Sequence, residues 1–445
     1  RLQGDNGMRI RYLFVLLLVV ARVDATPQIQ HWQTDNGTDV FLVETHELPM
    51  LDIQIVFDAG SSRDDKHAGT AMLATGLLDE GAGGLSANEI SRRFESLGAI
   101  YSSHTGYDSA TVSLRTLVDA DKLMSALDNL KRVITQPDFP QKAFERQRKR
   151  TLVGIRQKQQ SPGALAGDAF YAAVFDDHPY AHPNEGTEES IQSLTRENIK
   201  AFYERYFVAH NAMIAMVGDI DRSRAERLAD DLTKNLRPGV KAPPLAPVKE
   251  LESGKQIVLE HPSVQTHILV GQPGMKRGDP DYFPLYVGNH VLGGGGMVSR
   301  LFEEIREKRG LSYSAYSYFS PMRQTGPFVA GLQTRTDQTQ LALDLLKQNL
   351  QQFVESGPTE EELVASKKNI TGGFPLRLDS NKDILGYIAM IGFYGLPLDY
   401  LDTFNTRIEA VTVEQIKDAF RRRIAPDKMV TVLVGQRAEQ DGDPN

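Results

Sequence analysis

One 28-residue stretch near the middle of the chain returns near its end, and this repeat constrains the fold more than any other feature. "IQSLTRENIKAFYERYFVAHNAMIAMVG" (residues 191–218) aligns without gaps with "IEAVTVEQIKDAFRRRIAPDKMVTVLVG" (residues 408–435), at an offset of 217 residues. In each copy a Thr with a Glu two residues later opens an apolar-periodic segment. A β-rich run follows and ends at Gly218 or Gly435. Both therefore read as a helix and then a strand. A weaker echo, "LGAIYSS" (97–103) against "RGLSYSA" (309–315), lies at an offset of 212. A unit of about 210 residues is longer than the repeats of solenoids, so the spacing predicts two domains of one fold.

Between the copies runs "LRPGVKAPPLAPVKELESGK" (236–255), with Pro238, Pro243, Pro244 and Pro247. Prolines at this density lack amide donors and favour extended geometry, which predicts a semi-rigid linker. The expected boundaries are an N-terminal domain over 26–236, a linker over 237–256, a C-terminal domain over 257–438 and a tail over 439–445. Strand-like runs such as "DIQIVFDAG", "ATVSLRTL" and "HILVGQPG" alternate with single-stripe helical patterns over 120–135 and 338–355. The fold class expected is α+β: two homologous domains, each a mainly antiparallel sheet with helices packed on one face.

With 445 residues, 40% hydrophobic and 24% charged, the chain has enough apolar content for two cores. A net charge of -8 gives no electrostatic reason to expect nucleic acid as a partner. The absence of cysteine excludes disulfides, thiol catalysis, thiolate metal sites and a lipid-modified cysteine. Arg9 and Arg11 precede an apolar run from Tyr12 to Ala21, and Val23-Asp24-Ala25 supplies the small residues of a signal cleavage site. Met8 reads as the natural initiator, so residues 1–25 are expected to be a short extraneous start plus a signal peptide, with Thr26 the first mature residue. Ten apolar residues fall well short of the roughly 20 a membrane-spanning helix needs. The expectation is a periplasmic protein without a membrane span after cleavage.

Several segments together carry a more specific signal. They are "FDAGSSRD", "HAGTAMLATGLLDEGAGG", "HPYAHPNEGTEESIQSLTRENIKAFYERYF" and "MIAMVGDID" in the first half, and "LGGGGMVSRLFEEIREKRGLSYSAYSYF" in the second. With these the chain resembles the pitrilysin/insulinase family of zinc peptidases, the inverzincins, over most of its mature length. Active members carry H-x-x-E-H on the first helix, where two His bind zinc and Glu polarises the attacking water, and a Glu on a later helix completes the ligands. The resemblance places Met72 and Gly76 at the His positions, Thr75 at the general base and Gly154, in "FERQRKRTLVGIRQK", at the last ligand. A thioether, a hydroxyl and two missing side chains make no zinc site. No metal or catalytic residue is therefore expected in this chain, and zinc only in a partner chain.

Family members also place an Arg and a Tyr seven positions apart in the second half, where they contact substrate. In "REKRGLSY" Arg306 and Tyr313 match both residue types and the spacing. By residue type alone, Arg306 also fits a solvated helix face and Tyr313 a strand. The family context makes them substrate contacts, the guanidinium as a planar fork to peptide carbonyls and the phenol as a donor to a developing oxyanion.

Other candidates read as structural. His178 and His182 in "DDHPYAHPNEG" have ligand-like spacing, with Asp176, Asp177 and Glu185 close by, but Pro179 and Pro183 predict a loop. His67, His104 and His290 are isolated and read as ordinary polar or core histidines. Glycines 293–296 are followed by Met297-Val298 rather than Lys-Ser/Thr, which excludes a phosphate loop and predicts a turn before a helix starting at Ser299. The basic residues 146–150 read as a solvated helix face. The resulting expectation is a non-catalytic subunit that binds peptide beside a homologous H-x-x-E-H-bearing chain. The rival is a structural or assembly protein of the same fold, as in the core subunits of respiratory complexes. An enzyme acting alone through unrecognised ligands is the least favoured.

Overall fold

Strand Ala110–Leu117 alternates buried and half-buried positions along its whole length, because a pleated strand sends successive side chains to opposite faces. The same rule builds the two large sheets in the computed structural model, which describes residues 27–436. The signal-peptide and tail expectations lie outside the described residues.

Among the described residues the first half contributes β1 (Gln30–Gln33), β2 (Asp39–Glu44), β3 (Met50–Phe57), β4 (Ile100–Thr105), β5 (Ala110–Leu117) and β6 (Ala212–Gly218). Their order in the sheet is β1-β2-β6-β3-β5-β4. The second half contributes β7 (Lys255–Glu260), β8 (Gln265–Met275), β9 (Ser312–Phe319), β10 (Gly326–Arg335) and β11 (Val430–Gly435), ordered β9-β10-β8-β11-β7. Read from opposite ends, the two orders coincide apart from the extra edge strand β1. In each sheet the parallel pair, β2 with β6 and β7 with β11, contains the strand that closes the sequence repeat. The other neighbours are antiparallel. The weaker echo falls on β4 and β9, each the outermost strand at the same end of its sheet.

On one face each sheet carries its own helices. In the first half Ile53, Val112 and Ile214 meet Leu127 of Ala120–Thr135, Phe202 of Arg196–Tyr206 and Leu228 of Arg222–Thr233 in one core. In the second, Ile268 and Phe328 share a core with Leu346 and Phe353 of Thr339–Ser356 and with Phe420 of Val413–Arg423. Helices on one face were expected. What covers the other faces was not: each half lends one helix to the other. Pro162–Phe175 lays Phe170 and Val174 against Val329, Val430 and Val432 of the second sheet. Asn381–Tyr394 lays Ile384, Leu385 and Ile388 against Phe41, Met213 and Val217 of the first. Burying a side chain of this size contributes about 1.5–3 kcal/mol, so the exchange binds the halves into one body.

Polar contacts fix the same junction. Buried Asp108, in the turn between β4 and β5, accepts from Tyr180 Oη at 2.5 Å, from Tyr394 Oη at 2.9 Å and from the Arg323 amide at 2.7 Å. Arg63 and Asp58 form a buried two-pronged pair at 2.8 and 2.9 Å, and the same guanidinium donates to Pro243 O at 2.7 Å. Residues 237–254 hold no helix or strand, yet the Ala242 amide donates to Asn211 Oδ1 at 2.9 Å and Gln324 Nε2 donates to Leu245 O at 2.9 Å. The proline-rich connection is thus tied down on both halves.

Candidate functional site

The helix that would carry a zinc motif spans Thr70–Gly76 and begins after Gly69, whose φ of 93° an L side chain rarely adopts. Its first amides are satisfied by buried Asp64, which accepts from Gly69 N and Ala71 N, each at 2.7 Å. Burial pushes the Asp64 carboxyl up to about 8 against the pull of those two donors. Facing this helix is Gln141–Lys158, and the two are clasped at one end by an ion pair between Glu80 and Arg146.

Each expected ligand position is chemically blank. Met72 is half-buried and packs against the core. Thr75 is 1% exposed, and its hydroxyl donates to Ala71 O at 2.8 Å, one turn back along its own helix. A Cβ on Gly76 would find Gln147 Nε2 at 3.9 Å as its nearest neighbour, and one on Gly154 would find nothing within 4 Å. Gln147 was not singled out from the sequence. It lies two turns before Gly154, and that same-face spacing is the signal that could have found it. The residues do not fit zinc: a thioether, an occupied hydroxyl, an amide and two glycines offer no set of three anionic or imidazole donors. No group of three or more His, Asp or Glu able to hold a metal occurs among the described residues.

Arg306 and Tyr313 do meet. Arg306 lies in the helical segment Phe302–Glu307, its guanidinium carbon 4.6 Å from the Phe302 ring centre and 5.2 Å from that of Tyr313. A cation over two ring faces is held in place by their electron-rich centres. One Nη also reaches Glu307 at 3.2 Å. Tyr313 stands on β9 between Ser312 and Ala315, where pairing with β10 is irregular, and such breaks re-aim side chains. Ser312 Oγ donates to Ser314 O at 2.6 Å and accepts from Ser314 N at 3.2 Å, bracing the irregularity. The phenol is 86% exposed. These two residues belong to the second domain, and the blank helix pair to the first.

The remaining candidates are structural. His178 is buried, with Nδ1 accepting from Tyr180 N at 3.1 Å and Nε2 3.0 Å from Ala246 O, so it closes the loop around Pro179–Ala181. The glycine run continues Tyr282–Asn289 as a wider turn over His290–Gly294, and a Cβ on Gly293 would sit 2.4 Å from Ser317 N. Ser299 Oγ donates to Gly296 O at 2.7 Å where the next helical segment begins.

Comparison with known proteins places these features. Residues 40–188 match the insulinase (peptidase family M16) model, and residues 193–370 match the peptidase M16 inactive domain. A crystal structure of a peptidase M16 inactive domain from Pseudomonas fluorescens is 38% identical with a TM-score of 0.90, covering 94% of this chain and 100% of that one. The chain belongs to the peptidase M16 family. Among curated M16-like relatives, the non-peptidase homolog YmxG of Helicobacter pylori is 27% identical over 96% of this chain and 99% of its own. An uncharacterized zinc protease of Streptomyces coelicolor is 28% identical over 81% of this chain and 80% of its own. The match to the inactive domain and the likeness to a non-peptidase homolog support reading this M16 chain as a non-catalytic member of the family.

Proposed function

We propose that this M16 chain is the substrate-binding, non-catalytic subunit of a heteromeric zinc endopeptidase that cleaves peptides or small unfolded proteins. A homologous chain bearing H-x-x-E-H supplies the zinc and the general base. The leader read within residues 1–25 directs the chain to the periplasm, where the pair assembles. The observation that carries this reading is the contrast within one molecule: Met72, Thr75, Gly76 and Gly154 have lost every ligand, while Arg306 and Tyr313 remain in contact with Tyr313 exposed. A side chain kept only for stability has little reason to present a phenol and a stacked guanidinium to solvent. Arg306 binds peptide carbonyls through its planar fork, and Tyr313 donates its hydroxyl to the oxygen that gains charge as the peptide bond is attacked.

Steady-state kinetics on the reconstituted pair test the assignment. Tyr313→Phe removes one donor and is expected to lower kcat by about 10²- to 10³-fold with assembly and partner zinc content unchanged. Arg306→Lys keeps the charge but loses the fork, and is expected to raise KM as well as lower kcat. If both variants assemble and cleave at the unmodified rate, the structural-subunit alternative replaces this reading.

A further inference from the structure

Chain order gives the blank helix pair a counterpart in the second half. Tyr282–Asn289 follows β8 as Thr70–Gly76 follows β3, and Glu360–Gly373 is the second helix after β10 as Gln141–Lys158 is after β5. Where Gly76 meets Gln147 in the first half, the second half has a cavity of about 200 Å³. It is lined by Tyr286, His290, Asn369, Arg377 and the backbone of Gly294 and Gly295.

The lining is polar, and its internal contacts are already made. His290 is 9% exposed, with Nδ1 2.9 Å from Ser366 Oγ and Nε2 3.1 Å from Asn369 Oδ1. Burial, assisted by the charge of Arg377, holds its pKa below the usual imidazole value, so the ring is neutral near pH 7. A neutral ring donating from Nε2 to the Asn369 carbonyl leaves the Asn369 amide N–H groups turned away from it. Arg377 donates to Tyr286 Oη at 3.0 Å and also hydrogen-bonds the Tyr387 hydroxyl. No carboxylate of the described residues lies within ion-pair distance of Arg377, whereas Arg300 and Arg423 of the same half are paired to Glu362 and Asp279. The cavity therefore holds one cation with no carboxylate partner, oriented by two phenols, with guanidinium N–H groups left over and amide donors beside it.

We infer that this cavity is a binding site for a carboxylate, with Arg377 as its ion-pair partner, Tyr286 and Tyr387 as the groups that orient Arg377, and Asn369 as a second donor. One positive charge matches a monoanion, whereas a phosphate dianion would remain half neutralised. Either a peptide C-terminus or a free small carboxylic acid presents this group. The site is separate from Arg306 and Tyr313 and does not depend on their role.

Calorimetry on the purified chain tests it with N-acetyl-trialanine, the same peptide as its C-terminal amide, acetate and inorganic phosphate. The acid is expected to bind, and the amide to bind at least about tenfold more weakly, as loss of one charge-assisted contact requires. Acetate binding as tightly as the peptide acid makes the ligand a free carboxylate. Much weaker acetate makes it a peptide end. Arg377→Gln is expected to weaken binding by at least about tenfold, and Arg377→Lys by less, with unfolding midpoints unchanged because Arg377 is exposed. Equal binding of acid and amide, preference for phosphate, unchanged binding by Arg377→Gln, or no carboxylate binding at millimolar concentration would each overturn the inference.

Discussion

The helix Thr70–Gly76 and its counterpart Tyr282–Asn289 stand at equivalent places in the two sheets, and they have kept different things. Both begin beside a buried aspartate. Asp64 meets only amide donors, whereas Asp279 is paired with Arg423 at 2.5 Å. The first helix offers only Met72, Thr75 and Gly76 at the positions of the zinc motif, while the second abuts the histidine, asparagine and arginine of a cavity. Apart from the extra edge strand β1, strand order and helix placement are the same in spite of this, because they follow from apolar periodicity that neither change touches. Architecture and chemistry have thus been retained independently, and function has to be argued from the side chains of each half separately.

The largest expected effect strikes what the halves share. The exchanged helices dock differently: Phe170 projects over Gly271, where a Cβ would sit 2.8 Å from its ring, while Gly392 lets Phe41 approach to 2.5 Å from where its own Cβ would lie. Phe170→Ala leaves a cavity and is expected to destabilise by about 3–5 kcal/mol. Gly392→Ala overpacks its interface and is expected to cost about 1–3 kcal/mol. Urea unfolding checks both, and each variant should lower the midpoint of one common transition. Two separated transitions in the unmodified chain would show that the exchange does not couple the halves.

The aspartate contrast makes the next prediction. Asp64 is raised to about 8, so the folded chain keeps a proton that the unfolded chain sheds once pH exceeds the ordinary aspartate range. Its contribution to stability is full below that range and declines as pH rises toward 8. Asp64→Asn is neutral throughout and should flatten that part of the profile, seen as the difference between the unfolding midpoints of the two proteins from about pH 5 to pH 9. Identical slopes would mean that the two amide donors keep Asp64 ionised in the fold.

How much of this was legible in the sequence follows from the range of the forces involved. The repeat at 217 residues marked one helix and the strand after it in each domain, and the echo at 212 marked β4 and β9, since both signals are local patterns of apolar residues. The helix exchange was not read. Its trace is the composition of "PGALAGDAFYAAVF" and "NKDILGYIAMIGFY", which are apolar on more than one side, as a helix packed between layers must be. The blank positions at Met72, Thr75, Gly76 and Gly154 were visible only through family resemblance, because a missing side chain has no pattern of its own. The irregular pairing that presents Tyr313 depends on its register with β10, and the cavity at Arg377 on bringing residues 286 and 377 together, so neither is written in a local stretch.

The smallest effect is also the sharpest comparison, because one substitution should change sign between the halves. A methyl group at Gly154 would touch nothing within 4 Å, and at Gly76 its nearest neighbour would be Gln147 Nε2 at 3.9 Å, an ordinary contact. Gly154→Ala, inside the helix Gln141–Lys158, should stabilise by up to about 1 kcal/mol, and Gly76→Ala, at a helix end, by less. In the counterpart helix a Cβ on Gly288 would lie 2.5 Å from Phe420 Cε2 and 2.7 Å from Ile416 Cγ2, so Gly288→Ala should destabilise by about 1–3 kcal/mol despite the same gain in helix propensity. Unfolding midpoints of the three variants under one condition decide the matter. Stabilisation at 76 and 154 with loss at 288 identifies the open space at Gly76 and Gly154 as room left by removed side chains. Loss at all three would mean that this space is closed in solution, and that its glycines are there to let the two helices pack.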